Sequence, residues 1–125
     1  MNLSKSISSF KYAVKGLKCM LVHENNFRVH FSATLLVTFL AYYFKINITE
    51  WCIILLCCGL VMAMEIINTA IEKTIDLICP EQNPKAGLIK DIAAAAVLVM
   101  SICSLVIGIL ILMNSNWQPM QKTSC

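Results

Sequence analysis

With 125 residues, 58% of them hydrophobic and 14% charged, the chain is too apolar for a soluble domain of its size, in which roughly a quarter of residues carry charge. Ten basic against seven acidic residues leave a formal net charge of +3, and no nucleic-acid partner is expected. The seven cysteines (Cys19, Cys52, Cys57, Cys58, Cys79, Cys103 and Cys125) include no CxxC pair and lie mostly in apolar stretches, where Cys acts as a small hydrophobe. Neither a disulfide framework nor a cysteine metal site is therefore expected.

Residues 4–23 read as an amphipathic helix. Ile7, Phe10, Val14, Leu17 and Leu21 recur at helical spacing, and Lys5, Lys11, Lys15 and Lys18 supply charge. Such a helix lies in the membrane interface, its basic residues near anionic headgroups. The same periodicity also fits a plain basic tail that sets topology. No continuous apolar h-region occurs before residue 29, so no signal peptide is expected and the first span would insert the chain.

Glu24 follows, at the depth of the phosphate headgroups. It has two readings: an i,i+4 pair with Arg28, or half of a cation site if a second carboxylate comes near. His23 and His30 lack the company for zinc and read as interface residues. A first spanning helix is expected over 29–46. It is short for a bilayer, so Lys45 would snorkel at its end or the bilayer would thin. Tyr42, Tyr43, Phe44 and Trp51 read as aromatic anchors at the outer boundary, with a tight turn over 47–50 between them.

The second span is expected over 51–78, with a cytoplasmic extension. Gly59 and Ala63 form a small-xxx-small pair that permits close helix packing. The apolar run then grows a polar stripe. Glu65, Asn68, Thr69, Glu72 and Asp76 fall at steps of three and four, so they share one helix face. A helix simply leaving the bilayer explains Lys73 and Asp76. It does not explain Glu65 and Asn68, which sit before the apolar pattern ends. Ionisable groups inside an apolar span are costly and mark function.

Two prolines, Pro80 and Pro84, and Gly87 break the chain into a polar loop. A third span is expected over 86–113, starting near Lys85 to Leu88. Lys90 and Asp91 fall in its early turns. A lysine there opposes the helix macrodipole, whereas a bound phosphate would suit both the lysine and the helix N-terminus. The run Ala93-Ala94-Ala95-Ala96 admits the close approach of another helix or a lipid chain. Trp117 reads as an outer anchor. The lysines before the first span and between the second and third place both segments in the cytoplasm and the C-terminus outside. The fold expected is all-α: one membrane domain over 1–125, with three transmembrane helices and an N-terminal amphipathic surface helix.

The polar residues expected at the cytoplasmic face are Glu24, Glu65, Asn68, Glu72, Asp76, Lys90 and Asp91. Carboxylates, an amide and a lysine suit magnesium and nucleotide phosphates, since magnesium takes one or two carboxylates completed by phosphates and water. A further carboxylate can take the proton of a substrate hydroxyl. No GxxxxGK[ST] loop and no HRD or DFG set is present, so any nucleotide site is of another kind.

These residues carry a resemblance. Glu65-Ile66-Ile67-Asn68-Thr69-Ala70-Ile71-Glu72, then Asp76, then Lys90-Asp91 with the alanine run, and upstream Glu24-Asn25-Asn26-Phe27-Arg28, resemble the small bacterial membrane kinases for diacylglycerol and undecaprenol. The likeness runs from about Lys5 to Met113. It implies a homotrimer with active sites between subunits in the bacterial inner membrane, with Mg2+ as cofactor and ATP as phosphoryl donor.

The resemblance also implies roles. Glu65 matches the catalytic base and Asn68 the residue that holds it. Glu24 and Glu72 match the magnesium-binding carboxylates. Lys90 and Asp91 match the nucleotide-contacting pair, Tyr12 a nucleotide-binding aromatic, and Glu81, Gln82 and Asn83 the loop at the adenosine end. Lys5, matching a residue shared by nucleotide and lipid, stands where the diacylglycerol kinase branch has arginine. Ala94 stands near the lipid, where that branch has serine. With His23-Glu24 and Asn26-Phe27-Arg28-Val29-His30, these departures favour undecaprenol as the lipid alcohol. Diacylglycerol is the alternative, and a non-catalytic scaffold subunit the reading from another class. A scaffold has no reason to keep Glu65 at the membrane surface.

Overall fold

Capping side chains and one left-handed residue divide the chain into four helices: α1 (Leu3–His23), α2 (Asn25–Tyr43), α3 (Ile48–Ile78) and α4 (Pro84–Lys122). The structure is a computed structural model that describes residues 2–122, with side chains through Ser115. The side chains of Trp117 and Lys122, and all of Cys125, lie outside the described residues. No strand occurs among the described residues, and the fold is all-α.

Each boundary has a local cause. Asn2 opens α1, its side chain accepting the Ser4 N–H at 3.2 Å. Glu24 alone separates α1 from α2, with extended backbone at φ −106° and ψ 108°. Its N–H donates to the Met20 carbonyl at 3.0 Å and its carbonyl accepts the Arg28 N–H at 3.2 Å, so one residue closes one helix and opens the next. α2 ends in a Schellman motif. The Ile46 N–H donates to the Ala41 carbonyl and the Lys45 N–H to the Tyr42 carbonyl, both at 3.3 Å. Lys45 sits at φ 52°, a left-handed conformation that costs an L-residue about 1 kcal/mol or more. The two closing bonds and the burial of Ile46 against Ala41 offset it.

α3 opens with a capping box. Asn47 accepts the Glu50 N–H at 2.9 Å, and the Glu50 carboxylate accepts the Asn47 N–H at 3.3 Å. The tight turn expected over 47–50 therefore lies earlier, over residues 44–47, and Ile48 to Glu50 are already helical. α4 is capped by Asn83, which accepts the Lys85 N–H at 2.9 Å, with Pro84 as the first helical residue. α4 continues well past residue 113, to Lys122.

α3 is the axis of the molecule. It packs most extensively against α4 and then against α2, while α1 touches α2. The apolar core lies at one end of the bundle, where Ala41, Ile46, Ile54 and Ile111 are buried under Val37, Phe44, Trp51 and Ile107. Phe44 and Trp51, expected as interfacial anchors, instead pack on this core. Tyr42 and Tyr43 are exposed. Gly59 and Ala63 are also exposed, and a Cβ at Gly59 would meet nothing within 4 Å, so their close packing is not made within this chain.

Ile48–Ile78 and Pro84–Ser115 are long and apolar enough to cross a membrane. α2, with Asn25, Asn26, Arg28 and His30 in its first turns, does not reach the same measure. Much apolar surface is left open: Ile7, Phe10 and Leu17 on α1, and Leu98, Leu105 and Leu110 on α4.

Candidate active site

The other end of the bundle buries polar groups. Glu65, Asn68 and Thr69 are only 3%, 5% and 4% exposed. They fall on one face of α3 because their spacing matches the helical period. A bilayer core of about 30 Å uses about 20 helical residues. Counted from Ile48, that distance ends near Ile67, so Glu65 stands in the last turn of the apolar stretch. Glu72 and Asp76 stand beyond it.

Three contacts organise this end. The Glu65 carboxylate is approached by one basic group among the described residues, His30 Nε2 on α2, at 3.9 Å. The Asn68 amide donates to the Glu72 carboxylate at 3.2 Å. The Lys73 ammonium lies 3.4 Å from the Glu24 carboxylate. Glu24 thus pairs across to α3 and not with Arg28 on its own helix. Glu65 lies within electrostatic reach of both Glu72 and Glu24, so three carboxylates gather where α2 begins beside α3.

Two of these contacts differ from expectation. Asn68 holds Glu72, whereas it was expected to hold Glu65. The amide reaches i+4 along its own helix, one turn toward the helix end, and its nitrogen is spent there. His30, read from sequence as an interface residue, is the group beside Glu65. The signal that finds it is a question: a buried carboxylate needs a partner, and His30 is the titratable side chain on α2 at that depth.

Asn68 Oδ1 is buried with no hydrogen-bond partner. An orphaned acceptor of this kind costs about 1–3 kcal/mol. The other end of the same amide holds Glu72, whose oxygens, like those of Glu24, are hard donors. Among the described residues no three His, Cys, Asp or Glu side chains close into a protein-only metal site. Magnesium needs none, because it completes its shell from phosphates and water. An unpaired amide oxygen on the residue that holds Glu72 suits that ion.

A second cluster lies at the α3–α4 junction. Lys90 Nζ donates to Asp76 Oδ1 across the two helices. Within the chain this pair satisfies the lysine at the start of α4. An open cleft of about 590 Å³ lies beside it, lined by Cys79 to Pro84, Gly87 and Lys90. Glu81, Gln82 and Asn83 border this cleft, and Asn83 also caps α4. Asp91 and Ala94 are exposed on α4.

Lys5 and Tyr12 are exposed on α1 and make no hydrogen bond or ion pair with the other candidate residues. Along a helix at about 1.5 Å per residue, Tyr12 lies roughly 18 Å and Lys5 roughly 28 Å from Glu24. A further, apolar cavity of about 310 Å³ runs between α2, α3 and α4, from His30 past Thr34, Cys57, Ser101 and Ser104.

The profile of the family described as prokaryotic diacylglycerol kinase matches residues 11–112. The chain is 38% identical over 109 residues to an undecaprenol kinase of Bacillus subtilis (strain 168), covering 87% of this chain and 89% of that one. It is 38% identical over 88 residues to a diacylglycerol kinase of Helicobacter pylori (strain ATCC 700392 / 26695), covering 70% and 69%. It is 31% identical over 103 residues to a diacylglycerol kinase of Escherichia coli (strain K12), covering 82% and 84%.

Proposed function

The chain belongs to the prokaryotic diacylglycerol kinase family and is a membrane-bound lipid kinase, and from that premise we propose that it moves the γ-phosphoryl group of ATP to the hydroxyl of undecaprenol at the cytoplasmic face of the bacterial inner membrane. The observation that carries this reading is Glu65: a carboxylate 3% exposed, at the depth where α3 leaves its apolar stretch. A lipid hydroxyl is confined to that depth. Glu65 accepts the hydroxyl proton as the oxygen attacks the γ-phosphorus and the bond from phosphorus to the ADP oxygen breaks. Phosphoryl transfer asks little else of a protein than positioning and charge.

Glu24 and Glu72 would hold Mg2+, with Asn68 holding the Glu72 carboxylate. Bound there with the nucleotide, the ion would offset phosphate charge. Lys73 would then leave Glu24, and Lys90 would exchange Asp76 for phosphate. Asp91 would meet the nucleotide beside Lys90, and the cleft bordered by Glu81, Gln82 and Asn83 would take the adenosine end. Asn68 acts in this reading through Glu72.

In the membrane, α2, α3 and α4 would span and α1 would lie on the surface, with the N-terminus inside and the C-terminus outside. α2 has 19 residues, about 28 Å of helix, close to the bilayer core. Its Thr34 and Thr38 hydroxyls donate to the His30 and Thr34 carbonyls at 2.9 and 2.7 Å, which lowers the cost of placing these two side chains in an apolar layer. The exposed stripe of α1 suits the headgroup layer. Lys5 and Tyr12 reach a nucleotide most simply if a homotrimer sets α1 beside a neighbour's site, and Ala94 then borders the lipid.

Undecaprenol is favoured over diacylglycerol because identity to the undecaprenol kinase extends over more of the chain than to either diacylglycerol kinase. Diacylglycerol is the second reading, favoured by the 38% identity to the Helicobacter enzyme. The test is a panel of lipid alcohols in mixed micelles with γ-labelled ATP. The expected result is a higher kcat/KM for undecaprenol. A clear preference for diacylglycerol overturns the acceptor and leaves the kinase assignment intact. If neither ATP hydrolysis nor transfer to any of the lipids occurs, the scaffold reading returns.

A further inference from the structure

We infer that His30 is the positioning residue of Glu65, and through it sets how the acceptor hydroxyl meets the base. The inference rests on the reading of Glu65 as base. Three observations carry it. His30 Nε2 is the basic group that approaches the Glu65 carboxylate among the described residues, 3.9 Å from Oε2, and that carboxylate is almost wholly buried. The helix that carries the ring is anchored on either side of it. Phe27, one turn earlier on the same face of α2, is 3% exposed and fixes the rotation of the helix. The His30 carbonyl accepts the Thr34 hydroxyl at 2.9 Å. Finally, the ring also lines the end of the apolar cavity between α2, α3 and α4. His30 therefore separates the carboxylate from the apolar interior.

The chemistry of the ring suits that place. A carboxylate that must take a proton from an arriving hydroxyl needs one oxygen held and the other free. An imidazole 3.9 Å from Oε2 borders that oxygen and leaves Oε1 for the acceptor. A lysine or arginine in its place would form a permanent ion pair and compete with the acceptor for both oxygens. An imidazole holds its neighbour more weakly and occupies one side of it. Without it, a buried carboxylate with no other partner would rotate toward Lys73 or toward water, away from the lipid hydroxyl.

The test uses the full-length protein in micelles with undecaprenol and labelled ATP. It compares His30→Gln, whose amide reaches the depth of Nε2, with His30→Asn, whose amide stops one methylene short. Both are polar and similar in size, and size-exclusion profiles check that each assembles. His30→Asn is expected to lower kcat about 10-fold or more, as small misplacements of a catalytic group do, with the KM for ATP within about 2-fold. His30→Gln is expected to keep kcat within about 3-fold. In a Glu65→Gln background, His30→Asn should add less than about a 2-fold loss, because residues acting as one unit are not additive. Near-normal kcat in His30→Asn, with Glu65→Gln strongly impaired, overturns the inference alone. Equal losses in the Gln and Asn variants, or losses that multiply with Glu65→Gln, overturn it too, since His30 then acts by another route. Near-normal kcat in Glu65→Gln overturns the base itself, and the inference with it.

Discussion

The two ends of α3 solve opposite problems. At its start, Asn47 and Glu50 satisfy each other's backbone, and Ile54 packs with Ala41, Ile46 and Ile111 under Trp51 and Phe44. Polar groups there, the buried Glu50 included, are paired with backbone, and the side chains packed around them are apolar. Toward its far end the same helix buries Glu65, Asn68 and Thr69, gathers three carboxylates, and leaves Asn68 Oδ1 without a partner. One end minimises free energy locally. The other holds charge and an unmet hydrogen bond in a dry place, where an added cation, phosphate or hydroxyl would find ready partners. The difference separates a region that carries stability from one that gives some of it up.

The comparison breaks first at the carboxylates. Glu24→Gln and Glu72→Gln are expected to raise the magnesium needed for half-maximal rate by about 10-fold or more, or to abolish activity, with the protein still assembled. Titrating Mg2+ into each variant at saturating ATP checks this. Unchanged magnesium dependence in both would remove these residues from the ion. Melting temperatures should barely fall, since each variant also relieves repulsion among like charges.

The smallest expected effect belongs to the other end. Asn47→Ala removes a cap worth about 1 kcal/mol. Thermal denaturation in detergent should show a modest loss of stability, and kcat at a permissive temperature should stay at the wild-type value. A large kcat loss in Asn47→Ala would mean that the two ends are coupled through α3.

Much of this molecule was legible in its sequence. The order of four helices followed from apolar periodicity and from Pro80 and Pro84. The polar face of α3 followed from the spacing of Glu65, Asn68, Glu72 and Asp76. What was not legible lay in pairings between helices or in caps. Sequence offered Arg28 as the partner of Glu24, because i,i+4 neighbours are visible along one helix; Lys73, on another helix, is not. Lys90 similarly found Asp76 across the loop. His30 passed as an interface residue because nothing in its sequence neighbours reveals that Glu65, on another helix, lies beside it. The outer turn was misplaced by three residues because a lysine in left-handed conformation carries none of the marks of a glycine C-cap.

One side-by-side measurement bears most directly on this division: kcat and melting temperature for Glu65→Gln and Ile54→Ala, each in micelles with saturating ATP and lipid. Ile54 is 2% exposed in the apolar core, and truncating it leaves a cavity that costs about 2 kcal/mol or more. Glu65→Gln is expected to lose at least about 10²-fold in kcat, with the KM for ATP within a few-fold and no loss of melting temperature. Ile54→Ala is expected to melt earlier and to keep its kcat per folded molecule. Near-normal kcat in a folded Glu65→Gln protein would contradict the assignment of the base and pass the role to Asp76 or Asp91.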